Sequence, residues 1–80
     1  MAKRQVMFTF PPEKIKDPLI FHLGVKFNLL PNIRQADISE AKGWVMLELE
    51  GEEKDIEAGI AWLESKGIRV DPVTGDIIEG

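Results

Sequence analysis

Asn32-Ile33-Arg34-Gln35-Ala36-Asp37-Ile38-Ser39-Glu40-Ala41-Lys42-Gly43-Trp44-Val45-Met46-Leu47-Glu48-Leu49-Glu50-Gly51 is the stretch that decides the fold. Two runs rich in β-branched and apolar residues flank Ser39 to Gly43, which is the pattern of a β-hairpin. Gly43 stands where such a turn calls for positive φ. In the second run Val45, Leu47 and Leu49 alternate with Trp44, Met46, Glu48 and Glu50, so one face is apolar and suited to a core. The hairpin holds few groups that do chemistry and several that line surfaces. Binding is expected here, not transformation.

Working outward, Val6, Phe8 and Phe10 alternate with Met7 and Thr9, a half-buried strand stopped by Pro11-Pro12. Asp17-Pro18 predicts a helix start, with Asp17 as cap and Pro18 at the first helical position. Ile20, Leu23, Phe27 and Leu30 follow at helical spacing until Pro31 blocks continuation, and the first hairpin strand begins near Asn32. Beyond Gly51, the carboxylates of Glu52, Glu53 and Asp55 suit the first turn of a second helix, whose inner stripe is Ile56, Ile60 and Leu63. Lys66-Gly67 is a helix stop, Ile68 to Val73 a short last strand, and residues 74–80 a tail.

The order strand, helix, strand, strand, helix, strand predicts an α+β fold. It is the ferredoxin-like βαββαβ sandwich, with two helices on one face of a four-stranded antiparallel sheet. The chain reads as one domain over residues 1–80, with its core in about 4–73. Gly24 and Gly59 fall inside the helices, where glycine costs about 1 kcal/mol against alanine. Either they allow the helices close approach or they are tolerated small residues.

This layout leaves one sheet face uncovered, shared by Met7, Thr9, Trp44, Met46, Arg69 and Asp71. A tryptophan and two methionines on a small sheet form an apolar patch of the kind that marks an interface. Met7, Trp44 and Met46 are the expected contact residues, for self-association or for another protein. The plainer alternative is a moderately apolar sheet face.

Bulk properties narrow the function further. A chain of 80 residues has a core that supplies only about 3–5 kcal/mol of net stability, so a homodimer is a natural reinforcement. The absence of cysteine removes disulfides, thiolate nucleophiles and cysteine-held metal centres. A net charge of −4 with scattered basic residues argues against nucleic acid as a partner. No apolar run approaches the roughly 20 residues of a membrane helix, so no membrane insertion is expected. The N-terminus leads straight into a strand instead of a secretory apolar segment, which points to the cytoplasm.

Catalytic constellations are missing from the pattern. His22 is the only histidine, and its helical neighbours Pro18, Leu19, Val25 and Lys26 offer no carboxylate partner. The chain has no tyrosine, and neither Ser39 nor Ser65 lies in a nucleophile elbow. Calcium-loop and phosphate-loop patterns do not occur. The sequence therefore predicts no catalytic residue, no metal site and no cofactor. Gly24-Val25-Lys26-Phe27 superficially matches the phosphate-binding turn of acylphosphatases, which share this fold. It lies inside a predicted helix, however, and Asn28 stands where that turn needs arginine. The RNA-binding version of the fold needs a basic surface and central-strand aromatics, and only Phe8, Phe10 and Trp44 could serve.

Together these segments resemble the NIL domain, the ferredoxin-like regulatory module at the C-terminus of methionine-type ABC importer ATPases. The resemblance runs from Val6 to Val73. The signature falls on Asn32-Ile33-Arg34, the glycine-bounded strand on Gly43 to Gly51, and the second helix and last strand on Ala58 to Leu63 and Gly67 to Val70. The resemblance implies a small amino acid ligand held by paired domains, and a transporter-type partner under regulation. It carries ligand contacts onto Asn32, Ile38 and Val45. An asparagine amide can both donate to and accept from an amino acid. Asn32 equally suits a strand-initiating turn, and Ile38 and Val45 equally suit a core; the alternation points Val45 toward the helices. Arg34 replaces an apolar signature residue, either altering specificity or meeting a ligand carboxylate. ATPase activity is not carried over, because no ATPase domain is present. The ending Val70 to Gly80 is similar to NIL domains joined to iron–sulfur ferredoxin modules. A redox partner would then hold the cluster, since this chain has no cysteine.

Overall fold

In the computed structural model, which describes residues 1–39 and 41–73, the chain forms strand β1 (Ala2–Phe10), helix α1 (Leu19–Phe27), strands β2 (Leu30–Ile38) and β3 (Gly43–Gly51), helix α2 (Glu53–Ser65) and strand β4 (Arg69–Pro72). A single 3₁₀ turn, Pro12–Lys14, follows β1. The sheet order is β2-β3-β1-β4, with every neighbouring pair antiparallel. That is the ferredoxin-like α+β fold. The expected tail, residues 74–80, lies outside the described residues.

The core sits between the helices and the inner face of β1 and β3. Val6, Phe8 and Phe10 from β1 and Val45, Leu47 and Leu49 from β3 are buried, as the alternation requires. Leu19 and Leu23 of α1 and Ile56 and Leu63 of α2 close over them. Gly59 explains how the helices meet: a Cβ there would stand 2.8 Å from Leu23 Cδ1. The glycine is a close-approach residue, not merely a tolerated one.

The helix ends show where local chemistry departs from expectation. At the end of α2 the N–H of Ile68 donates to the Leu63 carbonyl and that of Gly67 to the Glu64 carbonyl, with Gly67 at φ +88°. This is a Schellman stop, and the buried Ile68 covers it. Helix α1 ends earlier than the apolar spacing predicted. Asn28 adopts the left-handed conformation at φ 57°, and Leu29 donates its N–H to Gly24. Leu30 consequently opens β2 and is exposed, while Leu29 takes the buried place. Asp17 is not the cap of α1 either: Pro18 occupies that position with no side-chain cap bond.

Gly43 corrects the reading of the hairpin turn. Its φ is not positive; it lies buried in β3, beside the side chains of Ile38 and Ile15. The turn is held instead by Ser39, whose N–H and hydroxyl both donate to the Lys42 carbonyl.

Candidate functional site

The two strands of the hairpin are unlike. β3 lies between β2 and β1, whereas β2 forms an edge of the sheet. Eight of its nine residues are exposed. Its register against β3 shifts between Ile33 and Gln35, so Arg34 is an extra, bulged residue. The bulge resets the alternation. Opposed residues on antiparallel strands share a face, so Ile33, Ala36 and Ile38 lie on the helix side, opposite Leu47, Val45 and Gly43.

Apolar side chains of α1 and β2 stay exposed here. Phe21 and Val25 point away from the core and stay 65% and 68% exposed, and Ile33 and Ile38 are 53% and 58% exposed. The sequence reading missed this surface, although a signal was available. His22 and Lys26 are the only polar side chains in α1. A helix apolar on nearly every side has more than one apolar contact to make.

Where the hairpin end, the 3₁₀ turn and the start of α1 converge, they enclose a cavity of about 200 Å³. Phe10, Ile15, Leu19, Phe21, Ile38 and Val45 are among its walls. Asp17 lines it as well and is the only ionisable residue to do so among those described. A second hollow, of about 400 Å³, is bordered by Pro12, Ile15, Lys16 and Ser39.

The structure thus brings together Ile38 and Val45. Asn32 lies elsewhere: it is opposite Glu48, on the uncovered face. Six residues of strand at about 3.3 Å each put it roughly 20 Å from Ile38 in its own chain. Met7 is opposite Met46 and Asp71, and Thr9 is opposite Trp44 and Arg69, so all six share the uncovered face. Met7, Trp44 and Met46 are half-buried there by their neighbours. On the same face Arg69 pairs with Asp71 at 3.0 Å. Arg4 instead ties β1 to Glu53 and Glu57 of α2, at 2.8 and 3.2 Å. His22 stacks edge-on against Phe21, with ring centroids 5.6 Å apart. Among the described residues, no three His, Cys, Asp or Glu side chains are grouped to hold a metal. No helix among them is long and apolar enough to cross a membrane.

A ferredoxin-like module with an apolar cavity at its hairpin end is the class that fold and geometry define. Within that class, the chain belongs to the NIL domain family, which it matches over residues 4–72. It is 28% identical over 75 residues to the methionine import ATP-binding protein MetN of Bacillus subtilis (strain 168). That alignment covers 89% of this chain and 22% of the relative, so the chain spans about a fifth of that protein's length. The structure is similar to the crystal structure of the C-terminal domain of an ABC transporter ATP-binding protein from Enterococcus faecalis. The TM-score is 0.78 and the identity 26%, covering 88% of this chain and 82% of that one.

Proposed function

We propose that this chain is a non-enzymatic regulatory module of the cytoplasm that binds a small amino-acid-type ligand and acts as a dimer. The cavity carries the reading. It is small, mostly apolar and lined by Ile38 and Val45, two of the three positions that the family resemblance singles out. Small-molecule sites are characteristically concave and apolar with few polar groups. The relationship to a methionine import protein supports a ligand of methionine's size and polarity, and a transporter-type protein as the regulated partner.

The exposed edge strand supports the dimer. β2 offers a long unpaired edge flanked by Phe21, Val25, Ile33 and Ile38, and such an edge is a template for another strand. Two copies joined antiparallel along β2 place the Asn32 end of one beside the Ile38 end of the other. In such a pair Asn32 still lies on the uncovered face, away from the cavity on the helix side, so its side chain does not enter the cavity. Calorimetric titration with a panel of amino acids tests the reading. Binding is expected to weaken in Ile38→Ala and to stay unchanged in Asn32→Ala, whose side chain lies on the uncovered face. No binding by any amino acid would remove the ligand role.

One observation favours a second reading, an interaction subunit for a redox or metabolic protein. Met7, Trp44 and Met46 meet on a sheet face that no helix covers. In that reading they are the docking residues, and Trp44→Ala abolishes capture of the partner without changing amino acid binding.

A further inference from the structure

Asp17 has the composition of a helix cap but does not act as one. The N-terminal position of α1 belongs to Pro18, which has no side-chain cap bond, and the Asp17 carbonyl, not its carboxylate, accepts the Leu19 N–H at 2.7 Å. The carboxylate makes no ion pair or hydrogen bond among the described residues. It contributes nothing visible to the fold. Asp17 itself lines the cavity and is the only ionisable residue to do so among the described residues.

An ionised carboxylate beside an apolar hollow selects by charge. A cation entering the cavity exchanges water for a charge-assisted hydrogen bond, whereas an anion meets repulsion with no cationic wall to offset it. We propose that Asp17 is the cation-recognising residue of this site: the ligand presents an ammonium group to Asp17, and its short apolar part fills the space between Ile15, Ile38 and Val45. The inference rests on the ligand-binding reading above and adds to it the group that is recognised. The ligand's amine, not its carboxylate, is then the indispensable part. Lys16 and Ser39, which border the neighbouring hollow with Ile15, offer a place for a carboxylate, which is an accessory.

Three probes of one carbon–sulfur skeleton separate these roles: L-methionine, 3-(methylthio)propylamine, which lacks the carboxylate, and 4-(methylthio)butanoate, which lacks the amine. Isothermal titration of the full chain is expected to show binding of the first two and none of the third. Asp17→Asn is expected to weaken both by about tenfold, the scale of one hydrogen bond to a charged group, and Asp17→Glu to recover part of the loss. Asp17 is exposed and bonded to nothing through its side chain, so the variants keep the fold. Unchanged methionine affinity in Asp17→Asn, or equal binding of the butanoate, overturns the role of Asp17 and leaves the ligand reading intact. Failure of the wild-type chain to bind any of the three overturns both.

Discussion

Ile33 and Leu47 stand opposite one another on the same face of the same hairpin, yet one is 53% exposed and the other fully buried. Composition does not separate them, since both are large aliphatic residues. Position in the sheet does. Leu47 lies on a strand paired on both sides, while Ile33 lies on an edge strand with no strand beyond it. One strand of the hairpin supplies the core and the other supplies surface. Aliphatic area of this kind on a sheet edge is the surface that interfaces use.

The largest effect should come from breaking the buried half. Leu47→Ala is expected to cost about 2–5 kcal/mol, the range for emptying a tightly packed leucine site, and denaturant unfolding measures it. For a core of this size such a loss approaches the whole net stability. The next effect is on association. Ile33→Lys places a charge on the β2 edge, a known device against edge pairing, and sedimentation should show a dimer converted to monomer. A wild-type chain that stays monomeric at high concentration would remove the dimer altogether. The smallest effect is Ile33→Ala. At low concentration, where association adds no stability, it should shift unfolding by less than about 1 kcal/mol, because the side chain is half in water. Equal costs for Leu47→Ala and Ile33→Ala would erase the contrast between the strands.

The difference in legibility between the two strands has the same physical origin. β3 was readable because a strand buried on one side writes its environment as strict alternation, and Val45, Leu47 and Leu49 do so. β2 was readable only as a strand. The bulge at Arg34 shifts its alternation midway, so Asn32 and Ile38, an even number of residues apart, end on opposite faces. No period-2 reading recovers that. The end of α1 was misplaced because a left-handed Asn28 is a local choice that Leu30, at helical spacing, did not betray. Gly43 was read as a turn residue, since hairpins commonly need one. Its actual place, buried in β3 beside Ile38 and Ile15, depends on tertiary neighbours.

Of the site, the apolar walls Ile38 and Val45 were marked by the family resemblance, and the alternation had already turned Val45 inward. Asp17 was noticed for the wrong task. Its dipeptide with Pro18 is a common helix-start signal, and only the coordinates of α1 free the carboxylate from capping. Ile15 and Phe21 carried no local mark at all. They line the cavity because the 3₁₀ turn and the first turn of α1 fold back toward the hairpin end, an arrangement set by distant parts of the chain.

The measurement closest to the central claim is an NMR titration of ¹⁵N-labelled chain with L-methionine. The account predicts that the largest amide shifts cluster at Ile15, Asp17, Ile38, Gly43 and Val45, around the cavity, while Met7 and Met46 on the uncovered face stay nearly still. Shifts concentrated at Met7, Trp44 and Met46 with the cavity residues silent, or no shifts at saturating ligand, would contradict it.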